Sequence, residues 1–431
     1  MVDGFEYNSI SKLLTLGLMK YSIIFLLITI QQIGFGQLNL EGTLDSIILN
    51  GIDSMAFPGA QLYVIHKDKV IINKTYGHHT YEKQKMVSKT DLYDLASLTK
   101  VMSGLPILMK LYDKGMFDLD VPASTYIPNW KKTNKAHQSF RDILSHQAGL
   151  EPYIVFWAKT MKENGNFKRR TFRSKLSRRF PVKIHENLFL HKRYTSKMWR
   201  SIKQSPVNKE KNYKYSGLSF LHMPEMISKM IQSDFETQLY QSFYTPMGID
   251  RLCYNPLNTF TLDDIIPTEK DTSFRKTLVH GRVHDEAAAM LHGVSCNAGL
   301  FGNAESVAKL FHMYLRNGNY SGKQYITAQT IKTFTSYQFP ENDNRRGLGF
   351  DKPPLEYVDG QSYIAKSASS SSFGHSGFTG TFAWADPDHD LLLVFLSNRV
   401  YPDRSQRKLY TMNIRPQIHQ ALYDFLIFTD D

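Results

Sequence analysis

The sequence predicts an α+β fold in which an antiparallel sheet is flanked by helices. β-rich runs lie near both ends of the chain, at residues 61–65 and 70–76 and again at 381–384 and 391–397. Segments with apolar residues at helical spacing lie between these runs and after them, the last at residues 415–426. The chain has 431 residues, of which 42% are hydrophobic, so it can bury a large core as one large domain or as two to three smaller ones.

The first 36 residues have the order of a secretory signal. An uninterrupted apolar run at residues 21–30 follows Lys12 and Lys20 and precedes the small residues Gly34 and Gly36, which is the arrangement of n-region, h-region and cleavage site. We therefore expect residues 1–36 to be a signal peptide and the protein to be exported to the periplasm or the cell envelope. Retention of the segment as an N-terminal membrane anchor is the alternative, although the run is short for a membrane span.

A hairpin and a long helix are predicted to open the body of the protein. The first two β-rich runs are separated by a polar tetrapeptide at residues 66–69 and should pair as antiparallel strands. Apolar positions at helical spacing then run from Val101 to Leu111, in a helix that should begin at Ser97. Pro106 should kink this helix in its third turn, and Gly115 should end it.

Ser97 forms a Ser-x-x-Lys tetrad with Lys100 at the start of the predicted helix. Because the two residues are three positions apart, the lysine amine can lie beside the serine hydroxyl. A desolvated lysine can take the serine proton near neutral pH, and the helix N-terminus favours negative charge on the serine oxygen. The same tetrad recurs at four other serines, Ser9, Ser273, Ser306 and Ser405. The pattern alone therefore does not identify a nucleophile.

The order of motifs around Ser97 resembles a known family. A hairpin precedes the tetrad, and Leu-Asp-Val-Pro at residues 119–122 and Ile-Leu-Ser-His-Gln-Ala-Gly-Leu at residues 143–150 follow it. This order resembles the serine β-lactamase-related family, which includes class C β-lactamases, low-molecular-weight penicillin-binding proteins and esterases. The resemblance implies a β-lactamase/transpeptidase-like fold, with one catalytic domain over residues 37–431. It also implies a mostly helical lobe inserted at about residues 131–290, with Ser97 and Tyr215 at the cleft between the lobes.

The family's Tyr-x-Asn element corresponds to Tyr215-Ser216-Gly217. Tyr215 falls on the family tyrosine, and the resemblance implies that it shares a proton with Ser97 and Lys100, since a phenolate is favoured beside a cation. The alternative is an aromatic core residue. Gly217 departs from the family, which has Asn or sometimes Asp there. It offers no side chain to hydrogen-bond the lysine or a substrate amide, a loss of about 1–3 kcal/mol if nothing replaces it.

The family's His-x-Gly element corresponds to His375-Ser376-Gly377. The resemblance implies that His375 carries charge, or a hydrogen bond to the substrate carboxylate or to Tyr215. Ser376 and Gly377 are expected to bind the substrate, and Gly377 would let it approach the strand backbone. The backbone N–H groups of Ser97 and Phe378 would form the oxyanion hole. A tight hairpin turn without a catalytic role is the alternative for this element.

The resemblance implies no cofactor and no metal. A metal site formed by His284, Asp285, Glu286 and His292 is a weaker alternative, because adjacent residues of a helix point to different faces. His146 is interpreted as a structural residue of a turn, with a catalytic base as the alternative. Cys253 and Cys296 form neither a Cys-x-x-Cys motif nor a zinc spacing, which leaves one isolated disulfide open.

The formal charge is +12, and much of the excess lies between Lys168 and Lys211, where Glu186 and Glu210 are the only acidic residues. The segment contains no nucleic-acid-binding motif. A solvated helical face is therefore favoured over a nucleic-acid groove, and a partner nucleic acid is not expected. Because the segment falls in the predicted insert, it would flank the cleft and suit an anionic stem peptide.

These features predict a serine hydrolase that acts through an acyl-enzyme on an amide or ester. The resemblance implies small-molecule or peptide substrates: cell-wall D-amino-acid peptides of peptidoglycan, β-lactams or simple esters. The alternative is a non-catalytic or weakened envelope protein of the same fold that binds wall peptides or a partner, which the glycine at position 217 makes plausible.

Overall fold

A computed structural model of the chain describes residues 39–427. Its centre is a five-stranded antiparallel sheet with the strand order β3-β4-β5-β1-β2. The strands are β1 (Gly59–His66), β2 (Lys69–Gly77), β3 (Phe373–Ser376), β4 (Phe382–Asp386) and β5 (Leu391–Ser397). β5 pairs with β1, in a register that sets Ala60 opposite Ser397 and His66 opposite Leu391. The two ends of the described chain therefore build one sheet, as the sequence predicts.

β5 is buried along its whole length because both of its faces are covered. Its sequence Leu-Leu-Leu-Val-Phe-Leu-Ser is continuously apolar, which is typical of a strand between two layers. Leu392 and Val394 point into one hydrophobic cluster and Leu391 and Phe395 into the other. The sheet is thus the middle layer between two cores.

The described part of the chain contains twelve α-helices, and some of them cover the two faces of the sheet. One face is covered by the first and last helices, which bury Leu44 and Ile418, and the other face by a helix that buries Phe311. The helices are α1 (39–53), α2 (Thr99–Met102), α3 (Gly104–Asp113), α4 (Phe140–Leu144), α5 (Tyr194–Gln204), α6 (Met223–Ile231), α7 (Phe235–Leu239), α8 (Glu286–Met290), α9 (Ala304–Leu315), α10 (Ala328–Thr335), α11 (Lys408–Thr411) and α12 (Ile414–Leu426).

The predicted long helix after Ser97 is broken at Ser103 into α2 and α3. Pro106 has no N–H to donate to the carbonyl of Met102, and its ring would collide with that carbonyl in a continuous helix. The break leaves Pro106 in the first turn of α3, where a proline is tolerated. The hydroxyl of Tyr244 donates to the Met102 carbonyl at 2.7 Å and thereby satisfies it.

The region predicted as a helical insert, residues 131–290, also contains short strands. It carries α4 to α8 together with a three-stranded and a two-stranded antiparallel sheet. The short strands of the described chain are Tyr93–Asp94, Phe172–Arg173, Val182–His185, Leu188–Leu190, Leu252–Tyr254, Glu269–Asp271, Thr277–Val279, Leu300–Gly302, Asn319–Tyr320 and Lys323–Gln324. The basic segment from Lys168 to Lys211 is accordingly the three-stranded sheet followed by α5, and not one helical face.

Cys253 and Cys296 are both free and buried, so they form no disulfide with each other. Burial raises the pKa of each thiol to about 12, which keeps both protonated. Sγ of Cys296 fills the space beside Gly104 at the start of α3. These cysteines are therefore packing residues.

The predicted signal or anchor at residues 1–36 lies outside the described residues. Within residues 39–427, no helix combines the length and the apolar character that crossing a bilayer requires.

Candidate active site

Ser97 lies in a short 3₁₀ turn, Ala96–Leu98, directly before α2. Ala96 has a positive φ of 45°, an uncommon conformation for a residue with a side chain. Asp94 stabilises the turn, because its Oδ1 accepts from the Ala96 N–H at 2.8 Å and its Oδ2 from the His284 N–H at 2.6 Å. The serine is therefore held on a strained, buried turn, as nucleophiles often are.

Lys100 is buried, with 2% of its surface exposed, and reaches back to the serine. Its Nζ donates to Ser97 Oγ at 2.9 Å and to the backbone carbonyl of Asn297 at 3.0 Å. The Asn297 carbonyl fixes the direction of the amine, and the contact with Ser97 is the path along which the serine proton can move.

The other Ser-x-x-Lys tetrads in the described part of the chain do not form this pair. Lys276 Nζ donates to the carbonyl of Gly165, Lys309 Nζ to that of Gly248, and Lys408 Nζ to that of Ser54. The tetrad at Ser9 lies outside the described residues. Within residues 39–427, Ser97 is the one serine of such a tetrad whose lysine binds it.

Tyr215 lies beside the serine–lysine pair, with its ring between two cations. Lys100 Nζ is 5.1 Å and Arg346 Cζ 5.8 Å from the centroid of the Tyr215 ring. The His146 ring packs 4.3 Å away. The Tyr215 hydroxyl has no hydrogen-bond partner among residues 39–427, so packing and cation–π contacts hold the ring.

His146 and Arg346 both contact the Tyr215 ring, and the sequence did not predict either contact. His146 lies in a turn with a φ of 58°, and its Nδ1 accepts from the Ser216 N–H at 3.3 Å. Burial, then the charges of Arg346 and Lys100, lower the pKa of His146 well below its usual value, so the ring is neutral. Arg346 is 1% exposed and paired with Asp351 at 3.3 Å. In the sequence, His146 stands in the motif at residues 143–150, and Arg346 belongs to no motif.

His375 is not the charged group that the resemblance allowed. It is 3% exposed, and its Nδ1 contacts the Ser376 carbonyl at 2.8 Å. Burial, then the positive charges of Arg346 and Lys100, lower the pKa of His375 well below its usual value. The imidazole is therefore neutral at neutral pH, with its ring centroid 6.2 Å from that of Tyr215.

Gly377 serves close packing on the face where a side chain would lie. A Cβ on Gly377 would lie 2.1 Å from Thr381 Oγ1 and 2.5 Å from the Leu95 carbonyl, so the chain itself occupies that space. Ser376 ends β3 and, within the described chain, is not among the residues that line the cleft. The glycine thus lets the β3–β4 hairpin press against the turn that carries the nucleophile.

A cleft of about 590 Å³ opens over these groups. Ser97, Lys100, Tyr215, Gly217 and Phe378 line it. The Phe378 ring is 48% exposed and stacks on His284. Neither the Ser97 nor the Phe378 N–H has a protein acceptor within residues 39–427, so both are free to donate to an oxyanion.

A second cavity of about 500 Å³ adjoins this cleft through Ile154 and Phe156, which line both. No acidic residue of the described chain lines it. Its basic lining residues are Lys159, Lys162, Lys168, Arg169, Arg170 and Lys197. We call this the basic cavity.

The residues of the alternative metal site, His284, Asp285, Glu286 and His292, do not form a ligand cluster. No group of three or more His, Cys, Asp or Glu side chains within residues 39–427 is arranged to hold an ion. His284 Nε2 instead contacts Glu269 at 2.7 Å, and Asp285 caps α8 by accepting from the Ala288 N–H.

Comparison with known proteins agrees with this geometry. The beta-lactamase family profile matches residues 44–414, most of the chain. The chain belongs to the beta-lactamase family. A Salmonella enteritidis PT4 protein named "Putative D-alanyl-D-alanine carboxypeptidase" is 28% identical to this family member over 421 residues, covering 90% of this chain and 89% of that protein. A Salmonella gallinarum protein of the same name matches to the same extent.

Solved structures show the same fold for this beta-lactamase family member. "EstCE1, a hydrolase with promiscuous acyltransferase activity" superposes with a TM-score of 0.63 at 16% identity, covering 89% of this chain and 100% of that one. A class C beta lactamase gives 0.62 at 12% identity, covering 90% and 98%. A penicillin-binding protein homologue from Caulobacter crescentus gives 0.61 at 16% identity, covering 89% and 97%.

Proposed function

We propose that this protein is a serine hydrolase that cleaves an amide or ester bond through an acyl-enzyme on Ser97. The observation that carries the proposal is the 2.9 Å hydrogen bond between Lys100 Nζ and Ser97 Oγ, at the floor of a cleft and beside Tyr215. Other tetrads of the described chain lack this contact. The family membership supports the same reaction type.

In the proposed reaction, the Ser97 hydroxyl attacks the substrate carbonyl carbon while its proton passes to the pair formed by Lys100 and Tyr215. The N–H groups of Ser97 and Phe378 stabilise the negative charge that develops on the carbonyl oxygen. The bond to the leaving group then breaks, and that group takes a proton by way of Lys100 and Tyr215. Water then attacks the carbonyl carbon of the acyl-enzyme, and its proton passes to the same two residues. The bond between that carbon and Ser97 Oγ breaks, so the acid is released and Oγ takes up the proton.

The proposed substrates are cell-wall peptides that contain D-amino acids. The name of the Salmonella relatives supports this class. The basic cavity supports it as well, because wall peptides and polymers carry carboxylates or phosphates that six neighbouring cations would attract. We further propose export to the cell envelope through residues 1–36, which is where such substrates occur.

A carboxylesterase is the second candidate, and the charge states of His375 and Arg404 favour it. A carboxypeptidase needs a cation for the terminal carboxylate of its substrate, but His375 is neutral. Arg404, which lines the cleft, already pairs with Glu269 at 2.6 Å and with Glu286 at 3.0 Å. An ester with an uncharged leaving group requires no such cation.

The test is covalent labelling followed by intact-protein mass measurement. The protein is incubated with a fluorophosphonate, a fluorescent penicillin, acyl-D-Ala-D-Ala peptides and phenyl esters. We expect an adduct on the wild type, none on Ser97→Ala, and full labelling of the control Ser273→Ala, whose serine also lines the cleft. A non-catalytic binding protein would show equal labelling of the wild type and Ser97→Ala. The rates with peptides and esters then separate the two candidate functions.

A further inference from the structure

The side chain that the family carries at position 217 is missing here, and Asn297 stands beside the vacant position. A Cβ added to Gly217 would lie 3.7 Å from Cβ of Asn297 and 3.9 Å from its Nδ2, which are ordinary contact distances. Both residues line the cleft. An amide group from a distant part of the chain therefore lies beside the position where a residue-217 side chain would begin.

Three hydrogen bonds orient Asn297. Its carbonyl accepts from Lys100 Nζ at 3.0 Å. Its Oδ1 accepts from Ser295 Oγ at 2.6 Å, and its own N–H donates to that hydroxyl at 3.3 Å. Tyr254 in turn holds the Ser295 carbonyl at 2.8 Å. The side chain is thus fixed, with Oδ1 directed to the protein.

The remaining group of this side chain is its Nδ2 donor. It has no acceptor within residues 39–427, although Asn297 is only 9% exposed and lines the cleft. A polar donor at the wall of a cleft that has no protein acceptor is available to water or to a ligand. A carbonyl oxygen of a bound substrate is the acceptor that a fixed N–H₂ group at the cleft wall would meet.

We propose that Asn297 performs both contacts that Gly217 cannot make: its backbone carbonyl holds Lys100, and its side-chain amide donates to a substrate carbonyl next to the scissile bond. This inference rests on the proposed function. It narrows the substrate class to acyl groups that carry an amide beside the reacting carbonyl, such as N-acylated amino acids, in preference to plain fatty acyl groups.

The test compares two phenyl esters with the same leaving group, those of N-acetyl-D-alanine and 2-methylpentanoic acid, which differ in the amide. Asn297→Leu removes the amide donor and keeps a side chain of similar size. We expect the kcat/KM value for the amide ester, divided by that for the plain ester, to fall by roughly tenfold in this variant. The double variant Gly217→Asn/Asn297→Ala should restore the ratio, since it moves the amide back to the family position. Thermal melting checks that each variant folds.

Several outcomes overturn the inference. An unchanged ratio in Asn297→Leu contradicts it, and an equal loss with both esters shows that Asn297 is only structural. If fluorophosphonate labels the wild type at Ser97 while the ratio is unchanged, the proposed function stands and this inference fails. If the wild type neither labels nor turns over, the proposed function fails. Binding of N-acetyl-D-alanine amide to Ser97→Ala, measured by calorimetry with and without Asn297→Leu, then decides whether Asn297 binds the amide.

Discussion

Lys100 Nζ lies 2.9 Å from Ser97 Oγ and is held in that direction by the carbonyl of Asn297. Replacing Lys100 with Met removes the proton acceptor but keeps the length of the side chain. We expect the rate of ester acylation to fall by roughly 10²–10⁴. Stopped-flow or burst kinetics measure this. Lys309→Met is the matched control, because its lysine also follows a Ser-x-x-Lys pattern but bonds elsewhere. Equal losses in the two variants would contradict the assigned role.

Tyr215→Phe tests the hydroxyl without removing the ring that contacts His146 and Lys100. We expect kcat to fall by roughly 10²-fold, because one participant in proton transfer is lost. Stability should change little, since the hydroxyl has no partner in the described chain. Tyr213→Phe, a nearby and 39% exposed tyrosine, serves as the control. Wild-type turnover in Tyr215→Phe would reduce Tyr215 to a packing residue.

Gly377→Ala should destabilise the protein and damage the site together. The new methyl group would overlap Thr381 and the Leu95 carbonyl, and such overpacking costs about 1–3 kcal/mol. The displaced Leu95 adjoins the nucleophile turn, so labelling of Ser97 should slow as well. Gly217→Ala is the control for stability, because its nearest contact is an ordinary 3.7 Å. Denaturant titration and labelling rates provide the two readouts, and equal stability of both variants would refute the packing argument.

Glu269 makes stability depend on pH in the acid range. Burial alone would raise its pKa, but hydrogen bonds from His284 and Arg404 outweigh burial and lower the pKa from 4.5 to about 2. Because the folded-state pKa of Glu269 is depressed, the ionised carboxylate stabilises the folded state above pH 4.5. This contribution to the free energy of unfolding is lost as the pH falls towards 2. The free energy of unfolding should decline over that window less steeply in Glu269→Gln than in the wild type. Parallel curves from urea titrations would contradict this.

The basic cavity should bind anionic parts of a substrate. In Arg169→Glu/Arg170→Glu we expect KM for a carboxylate-bearing substrate to rise several-fold with kcat unchanged, and KM for a neutral analogue to stay constant. The effect should weaken as salt is added, since exposed charges are screened. Arg178→Glu/Arg179→Glu, in the same basic segment but outside the cavity, is the control. An equal rise in both double variants would indicate only an effect of net charge.

Much of the fold and the core of the site followed from the sequence. The β-rich runs near both ends of the chain predicted the antiparallel sheet, and the order of motifs predicted that Ser97 and Tyr215 meet at a cleft. The helix breaks at Ser103, three residues before Pro106. The reason is that the hydrogen bond that Pro106 cannot make is the one to the carbonyl of Met102 in the preceding turn.

The missed residues are those whose role depends on contacts between distant segments. Asn297 precedes the Ala-Gly-Leu-Phe stretch and carries no signal except its polarity within an apolar run. Arg346 belongs to no motif, and only the fold places its cation near the Tyr215 ring. The neutrality of His375 follows from burial beside two cations, which a linear sequence does not reveal.

The pairing of β1 with β5 has a consequence for the order in which the molecule matures. The nucleophile turn rests on Gly377 and Thr381. The sheet is complete only when residues 391–397 are inserted between β4, which is made just before them, and β1, which is made much earlier. Such contacts between distant segments form slowly. A nascent chain that already displays Ser97 and Lys100 therefore lacks the hairpin that positions them. The enzyme we propose would acquire activity only after its synthesis is nearly finished, so premature acylation during biogenesis is avoided.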